Sequence, residues 1–282
     1  MPIDITTPAQ YASKLGCKLD PTFDNAPIIQ EVLNGGYRFI HDIPGVLAIS
    51  PIHIPRGNCG YISGSSPGKR GIGKGYTAFT EFTTDQTELI TVNKAGVNTG
   101  CGKQVVVEDI GLECKNPNTI ALGIYGAEAC EVNRVGIYGG LEGVRVHAID
   151  RLIGVTINSL FTNLTTIGIR AIQGASTCCL QIIGGSLNLG NHGVYLEKWA
   201  NQCHIQGLTA QAQLKSCIEM TTAQAIIVSS YLESSTDVPC VRAVRASRVV
   251  LFNSSLTRHA ISTDSRMDTL FSLVGASLPI NP

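Results

Sequence analysis

Two stretches of this 282-residue chain carry residues whose types and spacing suggest chemistry. Gly68 to Gly75 reads GKRGIGKG, one residue short of the phosphate-cradling loop G-x-x-x-x-G-K-[ST], with Gly75 in the position of the Mg²⁺-binding hydroxyl. Such a loop must also run from a strand into a helix whose N-terminal amides face the phosphates. YTAFTEFTT follows instead, rich in Thr and aromatics and alternating at period two, which reads as strand. The glycines are therefore punctuation between strands. The second set is Glu197 and Glu219 with Arg145, Arg170, Tyr195 and Arg242. Two carboxyls can break a glycosidic bond, and planar Arg and Tyr suit sugar hydroxyls, ring faces and acidic groups. Whether these six residues meet depends on the elements that carry them.

Composition narrows those elements. Thirty glycines, 44% hydrophobic residues and only 15% charged residues describe a chain built of sheet and turn. Lys plus Arg equals Asp plus Glu at 21 each, so whole-chain charge gives no attraction to nucleic acid or to an anionic membrane. The start lacks a basic segment followed by an apolar one, and no apolar run reaches the roughly 18 residues of a membrane span. The expectation is a soluble chain without a signal peptide or membrane insertion. Ten cysteines occur without a C-x-x-C pair, and a chain this long can build its own core. They read as small buried residues, with neither disulfides nor a metal site, and no cofactor is implied.

An internal repeat organises the chain. VEDIGL from Val107, VNRVGI from Val132, INSLFT from Ile157, IIGGSL from Ile182, IQGLTA from Ile205, VSSYLE from Val228 and LFNSSL from Leu251 recur every 23 to 25 residues. Each starts on an aliphatic residue. Two residues earlier stand Val105, Cys130, Val155, Leu180, Cys203, Ile226 and Val249, all apolar. Two residues later come Asp109, Arg134, Ser159, Gly184, Gly207, Ser230 and Asn253, polar or glycine. A second register, GIYG, GVRV, GIRA, GVYL, CIEM, CVRA and AIST, repeats small, aliphatic, outward. Two short strands per repeat without intervening helix predict an all-β, right-handed parallel β-helix. In that coil Tyr125, Arg145, Arg170, Tyr195, Glu219 and Arg242 stack outward, one per turn. Glu197 then lies two residues along and one turn across from Glu219, about 8 Å between Cα atoms. That separation fits the 6.5 to 9.5 Å of an inverting hydrolase rather than the roughly 5 Å of a retaining one. One carboxyl would serve as base and the other as acid. The plainer alternative is a solvated face on which Arg and Glu pair between turns.

The N-terminal part reads differently. DNAPIIQEVLNGG from Asp24 has a cap residue, Pro in the first turn, apolar Ile28, Ile29, Val32 and Leu33, and a Gly35-Gly36 stop, which predict a short amphipathic helix covering the open end of the coil. KLDPTFDNAPIIQEVLNGG followed by IPGVLAISPIHIPRGNCGYISGS resembles the N-terminal turn of the pectate-lyase-like β-helix superfamily, in the form found in bacteriophage tail spikes. The motif covers about residues 16 to 64. The expected domains are 1–36 (N-terminal segment and capping helix), 37–265 (β-helix) and 266–282 (a closing or subunit-contact segment).

The resemblance implies a tail spike or tail fibre at the virion, a homotrimer that recognises a host surface polysaccharide and assembles with other phage tail proteins. The galacturonase-type signature of N-x-D, D-D, G-H-G and R-x-K is not found, and Gly190-Asn191-His192-Gly193 reads as a turn carrying a histidine. The aspartate cluster of a Ca²⁺-dependent lyase is also lacking. Three functions stay open: an adhesin for polysaccharide, a polysaccharide lyase or glycoside hydrolase, and a purely structural virion component.

Overall fold

The computed structural model describes residues 8–55, 60–66, 76–93, 104–147, 149, 152–172, 177–199, 202–235, 237–245, 247–257, 261–263 and 270–274. The glycine-rich stretch from Gly68 to Gly75 lies outside them. The fold is a right-handed parallel β-helix. Each turn gives one strand to each of three parallel sheets, here called A, B and C, of 11, 9 and 9 strands. One turn, for example, runs Gln104–Glu108 in A, Gly111–Cys114 in B and Ile120–Ile124 in C. The sequence suggested two strands per turn. The third, sheet B, leaves little periodic mark because its strands are three to five residues long and, from Gly111 onward, only two residues separate each from the sheet A strand before it.

From the Gln104–Glu108 turn onward, sheets A and B meet at a left-handed residue, followed in one turn by a second, Gly185. Asp109, Arg134, Ser159, Gly184, Gly207, Ser229 and Asn253 all have φ between 47° and 64°. This explains the polar and glycine series, because Gly, Asn and Asp reach that region most cheaply. Each of the first six corner amides still donates to a carbonyl of the next turn, as Arg134 does to Asn158 at 2.8 Å and Gly184 to Gln206 at 2.7 Å. The bend therefore costs the ladder no hydrogen bond.

Inward residues stack by kind. Phe39, Ile62, Val107, Val132, Ile157, Ile182, Ile205, Ile227 and Leu251 form one continuous column in sheet A, in register and buried. Here the sequence reading slips by one residue. Ile205 pairs with Ile227 rather than Val228, the next inward column holds Ala225 rather than Ile226, and the corner is Ser229 rather than Ser230. The spacings are thus 22 and 24 residues where two of 23 were expected. Ile226, Ile227 and Val228 are all aliphatic, so hydropathy alone could not choose among them.

A third column marks the start of sheet C, where Gly143, Gly168 and Gly193 follow one another. A Cβ on Gly143 would stand 2.5 Å from the Gly168 carbonyl oxygen, and one on Gly168 would stand 2.7 Å from that of Gly193. Cys217 and Cys240 occupy the same place in later turns as buried free thiols, in keeping with the core reading of these cysteines. Cys114, Cys130 and Cys203 are buried free thiols too, and burial pushes those of Cys130 and Cys203 up to about 12.

The N-terminal helix, Ala26–Asn34, covers the open end with Ile29, Val32 and Leu33 buried. Its polar residues complete the strand edges. Gln30 donates to the His53 carbonyl at 2.7 Å and accepts from the His53 amide at 2.8 Å, as a neighbouring strand would. Asp24 accepts from the Ser50 amide, and Asn25 donates to the Ala48 carbonyl. On sheet A the strand Ala9–Tyr11 pairs with Arg38–Ile40. At the other end Leu270–Val274 adds a strand in register with Arg248–Phe252.

Two outcomes test this core. Ile205→Asp places an unpaired charge in a dry column and is expected to cost about 4 kcal/mol or more, whereas His204→Asp, on the exposed side of the same strand, costs under about 0.5 kcal/mol. Urea melts of the two variants that coincide would refute the column. His41 is fully buried and stacked on Phe79, with ring centroids 5.6 Å apart, and burial pulls its imidazole down to about 4 from an ordinary 6.5. As pH falls through that window the unfolded chain takes up a proton that the folded chain refuses. Stability is full above pH 6.5 and declines by about 3 kcal/mol on the way down. Denaturation midpoints followed from pH 7 to 4 are expected to fall more steeply for wild type than for His41→Phe, and parallel curves would rule this out.

Candidate functional site

The outer face of sheet C gathers the residues singled out for chemistry. Arg145 pairs with Arg170, Arg170 with Tyr195, Tyr195 with Glu219 and Glu219 with Arg242, one per turn along a single row. Glu197 lies in the next row, opposite Thr221, offset from Glu219 by one strand and two residues. Tyr125 does not belong to the row by register. Gly123 pairs with Arg145, and the Tyr125 ring folds back over Gly123, so close that a Cβ there would stand 2.7 Å from it. The phenol thus fills the space that glycine leaves and donates to Glu88 on the preceding turn. Burial, then the Glu88 carboxylate, raise its pKa well above the usual phenol range.

Carboxylates tie the row together. Glu142, with its side chain 1% exposed, accepts from Nε and Nη2 of Arg145, both at 2.6 Å, and from Nη1 of Arg170 at 3.0 Å. Arg170 reaches Glu197 with its other Nη at 2.9 Å and lies 5.6 Å from the centroid of the Tyr195 ring. The ring of His192 lies 5.5 Å from that of Tyr195, centroid to centroid. Its Nδ1 stands 2.9 Å from Ser216 Oγ and 3.3 Å from Glu219 Oε2, and Arg242 approaches Glu219 Oε1 at 3.5 Å. Burial holds the His192 imidazole below its ordinary range, and the nearby Glu219 carboxylate opposes that effect.

His192 is therefore no simple turn residue. It begins the strand His192–Glu197 and packs into this face. Ser216, His192 and Glu219 are not a proton relay, because a relay needs its two partners on opposite ring nitrogens and both contacts fall on Nδ1. They fix the Glu219 carboxyl instead. Sequence spacing singles out neither Glu142 nor Ser216 and reads His192 as a turn residue, although a signal exists: each opens a sheet C strand immediately before a small residue, Gly143, Cys217 or Gly193. Among the described residues no group of three or more His, Cys, Asp or Glu is placed to hold a metal ion. No helix among them is long and apolar enough to cross a membrane.

The class of fold follows from the coil itself, a right-handed parallel β-helix, and solved structures share it. The A-module of the mannuronan C-5 epimerase AlgE6 from Azotobacter vinelandii superposes with a TM-score of 0.53 at 10% identity, over 95% of this chain and 99% of that one. ORF18 of Geobacillus virus E2 gives 0.54 at 12% identity over 95% of this chain, which spans 60% of the viral protein. The catalytic unit of a GH87 α-1,3-glucanase from Streptomyces thermodiastaticus gives 0.50 at 11% identity, over 98% of this chain and 69% of that one. At such identities the likeness is one of fold. No protein-family model matches the chain, and no curated protein sequence does.

Glu142 is the test of the ion-pair ladder. Glu142→Gln leaves two guanidiniums half-buried without their shared counter-charge, and the expected cost is about 3 kcal/mol. Urea denaturation at pH 7 measures it; a loss below about 0.5 kcal/mol would mean that the pairs are idle, as exposed ones are.

Proposed function

We propose that this chain is a polysaccharide-recognising β-helix of the bacteriophage tail-spike kind, gripping a host surface polysaccharide along the outer face of sheet C. In this reading it acts at the virion as a homotrimer, assembled with other tail proteins. The observation that carries it is the row Arg145, Arg170, Tyr195, Glu219 and Arg242, which offers a polar or aromatic side chain at every turn, about 4.8 Å apart. An extended glycan laid along the coil meets hydrogen-bonding groups and a ring face in regular succession. The kinship in fold with a mannuronan epimerase, an α-1,3-glucanase and a viral protein supports this reading.

A second reading, cleavage of that glycan by Glu197 and Glu219, is favoured by the different settings of the two carboxyls. Glu197 is ion-paired to Arg170 with its side chain 27% exposed, while Glu219, 12% exposed, is wedged among His192, Ser216 and Arg242. Two carboxyls in unlike surroundings are what acid and base roles require. Their offset of one strand and two residues, about 8 Å between Cα atoms, supports inversion, which needs a water between the carboxyls.

Binding and reducing-end release with purified host-surface polysaccharides separate the readings. Arg170→Ala combined with Tyr195→Ala is expected to weaken binding at least about tenfold, equivalent to about 1.4 kcal/mol; unchanged affinity would remove this face. If wild type shortens the chain, Glu197→Gln and Glu219→Gln should each abolish release while retaining binding. Undiminished release in either variant would remove that residue from the mechanism, and binding without release makes the protein an adhesin.

A further inference from the structure

We infer that the polysaccharide held by this face is neutral and hydroxyl-rich, not one bearing uronate, pyruvate or phosphate groups; the inference rests on the glycan reading above. At first sight three arginines in a row invite an anion. Their charge, however, is already spent. Arg145 gives Nε and Nη2 to Glu142, Arg170 divides its two Nη groups between Glu142 and Glu197, and Arg242 faces Glu219. A fourth carboxylate, Glu88, sits one turn beyond under Tyr125. An anionic sugar would have to sit against these carboxylates or displace one from its guanidinium. For Glu142, buried and holding two of the three, displacement strands a charge away from water.

Neutral hydroxyls require no such exchange. A guanidinium bound on one edge keeps N–H donors, and a carboxylate accepting one or two bonds keeps lone pairs, so each ion pair presents donors beside acceptors. A sugar hydroxyl uses both. Tyr195, partly exposed between Arg170 and Glu219, supplies a ring face for the apolar side of a pyranose. Exposed cations stand at the two opposite corners of sheet C, Lys198 and Arg245 after the strands His192–Glu197 and Val241–Val244 and Lys215 before Ser216–Thr221. They flank the row without belonging to it.

The test is a printed array of purified bacterial capsular polysaccharides and O-antigens with neutral and with acidic repeating units, probed with the whole chain at about 20 mM and about 500 mM NaCl, where screening of exposed charges differs widely. Hits confined to neutral repeats, changing less than about twofold with salt and unaffected by Lys198→Ser combined with Lys215→Ser, are expected. Hits confined to acidic repeats that fade at high salt would overturn the neutral class yet leave the glycan reading standing. No hit on any printed polysaccharide would overturn both.

Discussion

Everything in this molecule depends on one constraint: successive turns stack in register, so that a residue lies directly over its equivalent one turn earlier, about 4.8 Å away. Parallel pairing across three sheets turns the chain's one-dimensional repeat into columns running the length of the coil. A column must hold what its position tolerates in every turn. Inward positions therefore carry aliphatic side chains, the corner between sheets A and B carries residues that reach positive φ, and the corner that opens sheet C carries residues small enough to pass a carbonyl of the next turn.

The same stacking shapes the outer face of sheet C. Side chains that would be widely separated on a strongly twisted open sheet stand within reach of their neighbours above and below, so charge on one turn is answered on the next. Arg170 touches Glu142 on one side and Glu197 on the other, and Glu219 lies between His192 and Arg242. Isolated surface ion pairs stabilise little, but a buried carboxylate shared by two guanidiniums fixes both in place. The row is consequently a rigid surface, and in the proposed reading that rigidity lowers the entropic cost of holding a long, flexible glycan.

Stacking also creates a liability, since the first turn has strand edges with no turn before it. Unpaired edges invite association with other chains. The helix Ala26–Asn34 and the residues just before it answer this chemically as well as sterically, with Gln30, Asp24 and Asn25 using side-chain amides and a carboxylate to imitate the missing strand. This gives a physical reason for the residue types in DNAPIIQ from Asp24: Asp24 and Asn25 satisfy the sheet B strand and the residue after it, Ile29 is buried, and Gln30 satisfies sheet C.

The sequence by itself determined the coil, the capping helix and most of the outward row, because burial, corner geometry and chain period each leave a periodic mark on residue type. Arg145, Arg170, Tyr195, Glu219 and Arg242 could be aligned on repeat spacing alone. Tertiary structure decided what periodicity does not encode. Three adjacent aliphatics at Ile226, Ile227 and Val228 satisfy any one-residue shift, and only the left-handed corner at Ser229 and the ladder on both sides select Ile227. Tyr125 fits the row by pattern, yet Gly123 holds the register, and the ring enters only by folding back toward Glu88. Glu142 and His192 precede small residues at a corner, where strand alternation breaks, so no period-two count turns them toward the face. Their contacts with Arg145, Arg170 and Glu219 come from side-chain reach in three dimensions, which spacing along the chain does not record.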